Sequence, residues 1–142
     1  MTPVPESNVR QAVPFLRVAD MEASHRFYVE GLGFEMRNKW VVDGKLRWCW
    51  LSNGGAALML QEFSREGHDS WVPESKVGVG VAICFLCRDA LEIYHLAKAH
   101  GLEPSRPFVG NRMWVTTLFD PDGYRIEFES PTDVAEDAVF AE

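Results

Sequence analysis

The chain has 142 residues, of which 46% are hydrophobic and 25% are charged, and its formal net charge is -7 at pH 7. A chain of this length can bury about two-thirds of its unfolded surface, so we expect one globular domain that needs no disulfide bonds. With 21 acidic against 14 basic residues and no Lys/Arg run, the sequence argues against a protein that binds the phosphates of nucleic acid.

The N-terminal segment and the cysteines indicate the compartment. Residues 1–10 are polar and lack the apolar centre of a signal peptide, and no run reaches the roughly 18 apolar residues that span a bilayer. Cys84 and Cys87 fall on opposite faces of a predicted strand, so they should share neither a disulfide nor a metal. We expect these two and Cys49 to be reduced core thiols in a cytoplasmic protein without membrane partners.

The first half of the chain predicts a strand, a helix and three more strands. An apolar run at 14–19 ends at Asp20, a natural N-cap for a helix over 21–30 that stops at the glycines of 31–33. The three strands that follow the helix are predicted at 34–42, 46–51 and 56–63. Asn53-Gly54 joins the last two as a hairpin turn.

The second half predicts the same order of elements. Residues 64–77 are rich in charge, Gly, Ser and Pro and predict a linker. A strand at 83–87 then leads to Asp89, which caps a helix over 90–100. Strands at 107–109, 113–119 and 124–129 and an acidic tail at 132–142 complete the chain.

The two halves are related by a constant displacement. Asp89 follows Asp20 by 69 residues, and Gly123 follows Gly54 by the same 69 residues. Two separated landmarks with one displacement indicate an internal duplication. We therefore predict an α+β fold in which one domain, 1–142, contains two βαβββ modules at about 11–63 and 78–131.

Three sequence motifs and this order of elements resemble the vicinal oxygen chelate superfamily, which includes glyoxalase I, extradiol dioxygenases, and fosfomycin- and bleomycin-resistance proteins. The motifs are Val-Ala-Asp-Met-Glu-Ala-Ser-His-Arg-Phe-Tyr at 18–28, Gly-Leu-Gly-Phe at 31–34 and Asp-Pro-Asp-Gly-Tyr-Arg-Ile-Glu at 120–127. The resemblance covers residues 11 to about 131. It implies that the tandem modules form a curled sheet with a concave ligand cleft and with the helices on the convex side.

The resemblance also implies where a metal would bind, and most of those positions lack a ligand. Metal-dependent members carry a ligand, usually His, seven residues before each strand-ending Asp, where this chain has Val13 and Ala82. On the last strand of each module, Glu127 matches a ligand position, whereas its counterpart falls within the apolar residues 58–60. One carboxylate cannot supply the set of protein ligands that a catalytic ion requires, so we expect no metal cofactor.

The alternative is a metal-dependent enzyme. A shifted register could bring Gln61 or Glu62 beside Glu127 to hold a divalent metal, which would make the chain a glyoxalase-like lyase or an extradiol dioxygenase. The histidines do not add to such a site, because they fall in predicted helices or, for His68, in the linker.

Aromatic residues are the other candidates for ligand binding. The predicted helix should pack on the more apolar strand face of Leu16 and Val18, which leaves Phe15 facing the cleft. By the same alternation, Cys84 faces the cleft in the second module. Trp48 and Trp50 share one face of a strand. We predict a ligand site formed by Phe15, Trp48, Trp50, Cys84, Trp114 and Glu127. Each tryptophan could instead serve core packing.

These features are most similar to the bleomycin-resistance branch of the superfamily. That branch sequesters a cationic drug with a planar tail and does not alter it, which implies a bleomycin-like small molecule as the partner here. Pro14 lacks an amide hydrogen and predicts an edge strand. A proline at this place accompanies exchange of the first strand in that branch, so the resemblance implies a homodimer with shared clefts. An edge strand in a compact monomer is the alternative.

Overall fold

The computed structural model describes residues 7–67 and 70–142, so His68 and the first six residues of the N-terminal segment lie outside the described part. The first module contains β1 (Phe15–Val18), α1 (Met21–His25), β2 (Glu35–Val42), β3 (Lys45–Asn53) and β4 (Ala56–Glu62). The second contains β5 (Ala82–Leu86), α2 (Ala90–Ala99), β6 (Phe108–Gly110), β7 (Met113–Phe119) and β8 (Arg125–Pro131).

Each module folds into its own four-stranded sheet with the same topology. The strand orders are β1-β4-β3-β2 and β5-β8-β7-β6, in which the first pair of each sheet is parallel and the others are antiparallel. This arrangement confirms the α+β fold of tandem βαβββ units. Among the described residues, β1 and β5 are each hydrogen-bonded on one side, so the expected single curled sheet is two sheets within one chain. The edge position predicted from Pro14 is confirmed for β1.

Both helices begin as the sequence predicts, and the first ends differently. The side chain of Asp20 accepts hydrogen bonds from the backbone N–H groups of the first turn of α1, and Asp89 does the same for α2. Instead of an α-helix to residue 30, α1 passes at Arg26–Gly31 into a π-helical turn. The left-handed residue after it is Gly33, with φ of 80°, a conformation that glycine adopts without strain.

Alternation along the strands gives each sheet a helix face, which packs against a helix, and an opposite open face. On the first sheet the helix face carries Leu16, Val18, Cys49, Leu51, Leu58 and Leu60, all at most 5% exposed. On the second it carries residues such as Thr116, Leu118, Ile126 and Phe128. Both helix faces contribute to one hydrophobic core, in which the Phe85 ring lies 5.5 Å from Phe34 and 5.4 Å from Phe128.

Polar contacts also join the modules, and the Asp-Pro-Asp-Gly turn supplies several of them. The buried Tyr28 hydroxyl donates to Asp120 Oδ2 at 2.8 Å, and the Ala19 amide donates to Asp122 Oδ1 at 3.0 Å. The Tyr124 hydroxyl donates to the Arg17 carbonyl at 2.9 Å. The motif that carries the family resemblance therefore holds the two halves together.

The acidic tail is ordered against the second module. The Phe140 amide donates to the Pro107 carbonyl at 2.9 Å, and the Phe140 ring meets Trp114 edge-on at 6.0 Å. Tyr94 and Lys98 on α2 both bond the Glu142 carboxylate. Within the described residues, neither helix has the length and hydropathy of a membrane span.

Candidate functional site

The open face of the first sheet carries two rows of side chains that run across the strands. Strand register aligns Trp40, Trp48, Gln61 and Arg17 in one row and Asn38, Trp50, Met59 and Phe15 in the other. Trp48 and Trp50 are half-buried, whereas Trp40 is 47% and Phe15 is 44% exposed. Four strands at about 4.8 Å spacing make this face roughly 14 Å wide, which suits a planar polycyclic group.

The linker adds one more aromatic ring to this face. Trp71 pairs with Ser64 in a β-bridge and lies edge-on to Phe63, with 5.6 Å between the ring centroids. The Arg17 guanidinium lies between the two aromatic rings of Phe15 and Trp71, at 5.0 Å and 6.0 Å from their centroids. This part of the open face is therefore aromatic and includes the Arg17 cation.

The open face of the second sheet has the opposite charge. Register places Cys84, Glu127 and Thr117 in one row, and Leu86, Glu129, Val115 and Phe108 in the next. Glu127 corresponds to Met59, because Phe15 pairs with Met59 as Cys84 pairs with Glu127. The duplicated positions thus differ in chemistry between the modules.

Cys84 and the two glutamates form a compact cluster. The Sγ atom and the two carboxylates lie within 4.8 Å of one another, and the thiol donates a hydrogen bond to Glu129. Arg125 Nε donates to Glu127 at 2.6 Å. Burial, the hydrogen bond to Glu129 and the two carboxylate charges raise the pKa of Cys84 to about 12. The cluster keeps a negative charge, and its thiol is protonated at neutral pH.

The structure therefore groups five of the six predicted site residues on open faces. Phe15, Trp48 and Trp50 lie together on the first sheet, and Cys84 and Glu127 lie together on the second. Cys84 is exposed, so the expectation that all three thiols belong to the core fails for this one.

Trp114 does not join these residues. It pairs with Ser130 on the helix face of β7 and packs against Phe140 of the tail, so Glu127 lies on the opposite side of the same sheet. The sequence assigns Trp114 to the cleft only because it lies on a predicted strand. Which face of that strand points away from the cleft is set by the packing of α2. Thr116 bonds the Ala90 carbonyl at the start of α2, which places residues 114 and 116 on the helix side.

The residues at the family's metal positions do not fit a metal of that kind. Ala82 lies on the open face opposite Arg125, Met59 takes the place equivalent to Glu127, and Val13 precedes β1. None of these side chains offers an oxygen, nitrogen or thiolate donor.

The two residues that the alternative requires differ in placement. Gln61 faces the open side beside Trp48. Glu62 is only 7% exposed on the helix face, where it accepts from the Met21 amide at 3.0 Å and pairs with Lys45 at 2.8 Å. Glu62 thus stabilises the start of α1 and is not a partner for Glu127.

Three functional candidates were missed by sequence reasoning. Glu129 could have been found, since it lies two residues beyond Glu127 on the same strand and so on the same face. Trp40 becomes visible only with the β2–β3 register, which sets it opposite Trp48. Thr117 gives no signal in the sequence, because a threonine in an apolar strand is ordinary.

Comparisons with known proteins agree with this architecture. The family model of the Glyoxalase/Bleomycin resistance protein/Dioxygenase superfamily matches residues 10–128. Among solved structures, a bleomycin resistance determinant encoded on transposon Tn5 is 21% identical with a TM-score of 0.65, covering 89% of this chain and 100% of that one. TnmS3, an antibiotic binding protein from Streptomyces sp. CB03234, is 20% identical with a TM-score of 0.65 and the same coverage.

TioX from Micromonospora sp. ML1 is also similar in fold, at 18% identity and a TM-score of 0.65, covering 89% of this chain and 99% of that one. A search of curated proteins gives no match. The TM-scores to the solved structures establish a shared fold, and the family model covers most of the chain. The chain therefore belongs to the Glyoxalase/Bleomycin resistance protein/Dioxygenase superfamily.

Proposed function

We propose that this protein binds and sequesters a small cationic or planar aromatic molecule, without metal-dependent catalysis. The observation that carries the proposal is the divergence of the two open faces. One presents tryptophans beside Met59, the counterpart of Glu127, and the other presents two carboxylates. The antibiotic binding and bleomycin resistance proteins that share the fold support a ligand of this class.

The aromatic face supplies the contact for a ring system. Trp48 and Trp50 are half-buried and held in place by β2 and β4, so a ligand would order few side chains when it stacks on them. Each large aromatic ring can bury about 150–250 Å² in such a contact. Phe15 lies at the end of the same row as Trp50.

The acidic face supplies the contact for a cationic group. The Glu127 side chain is largely covered, at 19% exposed, and Glu129 lies on the same face one row away. A carboxylate in this partly desolvated position attracts an ammonium or guanidinium group more strongly than one in water. Cys84 lies between these carboxylates and the sheet edge.

Fluorescence titration tests the proposal, with bleomycin as the probe. We expect quenching that saturates, that weakens at least tenfold in Trp48→Leu and in Glu127→Gln, and that is retained in Trp114→Leu. Trp114 is the matched control because it lies on the helix face. The proposal fails if neither bleomycin nor another cationic planar compound quenches, or if Trp114→Leu alone removes the effect.

We further propose that two copies associate and share their clefts. Each open face covers a ligand from one side only, and apolar side chains border the edge strand β5. Leu86 on β5 is 76% exposed, and Val81, which directly precedes β5, is 55% exposed. A second copy that packs on β5 would bury these residues and close the ligand from the opposite side.

Sedimentation equilibrium tests this association. The wild type should sediment as a dimer, and Leu86→Glu should shift it to monomer. Leu96→Glu is the control, because Leu96 is an exposed leucine (37%) on α2, away from the sheet edge. A wild type that remains monomeric at all concentrations would contradict the proposed association and the shared cleft.

The proposed location is the cytoplasm. Cys49, Cys84 and Cys87 are all free thiols, which suits a reducing compartment. Fractionation of cells that express the full chain, probed for this protein, tests the location directly.

A further inference from the structure

The Cys84 cluster has the composition of a cation site. Cys84 on β5 pairs directly with Glu127 on β8, and Glu129 follows two residues later on the same face of β8. The thiol and both carboxylates lie within 4.8 Å of one another, so one ion could contact all three. All three ligands belong to the second module, on two adjacent strands of one sheet.

A fourth polar group beside the cluster lacks a hydrogen-bond partner within the described part of the chain. Thr117 on β7 is directly opposite Glu127 and shares the open face. The residue is only 4% exposed, and its hydroxyl has no hydrogen-bond partner among the residues that the structure describes. Folded proteins rarely leave a buried hydroxyl unpaired. This unpaired oxygen is independent of the cluster and lies on the far side of Glu127 from Cys84.

The charges near the cluster favour a cation that carries more than one positive charge. Arg125 contacts one oxygen of Glu127, and the Glu129 carboxylate has only the Cys84 thiol as a hydrogen-bond donor among the described contacts. Two carboxylates with one arginine retain a net negative charge, and a thiolate would add a second. A divalent ion that displaced the thiol proton would balance this charge.

We propose that Cys84, Glu127 and Glu129 bind a thiophilic divalent cation such as Zn²⁺, with Thr117 at the edge of the site. A thiolate ligand favours Zn²⁺, Co²⁺ or Cd²⁺ over Mg²⁺ and Ca²⁺, which prefer oxygen ligands alone. On binding, the sulfur–hydrogen bond breaks, a sulfur–metal bond forms, and one proton is released to solvent.

This site is distinct from the one that the family implies. The family's ligand positions fall on both modules, whereas Val13, Met59 and Ala82 in this chain offer no oxygen, nitrogen or thiolate donor. The new site shares only Glu127 with that set and adds Cys84 and Glu129. It stands whether or not the protein sequesters an organic ligand, although a cationic ligand and the metal would compete for Glu127.

Titration of the metal-stripped full chain with Co²⁺ tests the site, because Co²⁺ bound to a thiolate gives a charge-transfer band in the near ultraviolet. We expect one Co²⁺ per chain by equilibrium dialysis, together with this band. Since one thiol proton is displaced, the affinity should rise about tenfold per pH unit below the thiol pKa.

The variants identify the ligands. Cys84→Ser should abolish the band, and Glu129→Gln should weaken binding at least tenfold. Cys87→Ser is the matched control, because Cys87 follows the same strand but packs against the core. The proposal is overturned if no stoichiometric Co²⁺ binds, or if the band survives in Cys84→Ser. Far-ultraviolet circular dichroism checks that each variant is folded.

Discussion

The hydrogen bond from Tyr28 to Asp120 should be a measurable part of the stability that joins the two modules. In Tyr28→Phe the ring remains, so its edge-on contacts with Phe27 and Phe34 at 4.9 Å and 6.0 Å are kept. Asp120 Oδ1 still accepts from two backbone amides, whereas Oδ2 loses its 2.8 Å donor. Loss of a buried bond to a charged acceptor costs about 1.5–3 kcal/mol.

Urea denaturation at pH 7 measures this loss, and thermal unfolding should show a decrease in Tm of about 5–10 °C for a chain of this size. Tyr94→Phe is the control, because the Tyr94 hydroxyl bonds Glu142, whose side chain is 41% exposed at the chain end. We expect the control to lose less than about 1 kcal/mol. A Tyr28→Phe loss no larger than that of the control would contradict a stabilising role for this hydrogen bond.

The same variant should show a defined pH dependence. Burial raises the pKa of Asp120 in the folded protein, and the Tyr28 hydrogen bond partly lowers it. A carboxyl whose folded pKa exceeds its unfolded value contributes stability at low pH that is lost as the pH rises through the folded pKa. Removing the Tyr28 donor raises the folded pKa further. The deficit of Tyr28→Phe should therefore be largest at neutral pH and smaller near the ordinary aspartate range.

Three further substitutions test local features of the fold and the cluster. Glu62→Gln should destabilise the chain by about 1 kcal/mol in urea, because a charge at the start of α1 is removed; an unchanged midpoint would contradict this role. Gly78→Ala should cost more than Gly80→Ala, since both have positive φ but only at Gly78 would a Cβ meet backbone atoms, at 3.1 Å; equal losses would contradict the close approach. Glu129→Gln should speed alkylation of Cys84 at pH 8, because the carboxylate helps raise the thiol pKa; an unchanged rate would argue against that contact.

The sequence predicted the elements and part of the site because both depend on local rules. Asp20 and Asp89 begin the helices as capping chemistry requires, and period-two alternation correctly places Phe15 and Cys84 on open faces. The same rule would have found Glu129 from Glu127.

The remaining features depend on contacts between distant residues. Trp114 faces α2 because of the register of β7. Both faces of that strand carry apolar residues, so the sequence does not show which face packs against the helix. The π-helical turn after α1 contains the buried Phe27 and Tyr28, and Tyr28 bonds a partner 92 residues away. The two separate sheets likewise reflect long-range packing, which a repeat of 69 residues does not determine.

We expect a cationic planar ligand to stack on the tryptophans of the first open face. The indole N–H resonances of the five tryptophans, followed by two-dimensional NMR during a bleomycin titration, test it most directly. If the ligand stacks there, the resonances of Trp40, Trp48 and Trp50 shift or broaden while that of Trp114 stays in place. Shifts confined to Trp114, or five unchanged resonances at saturating bleomycin and with other planar cations, would contradict it.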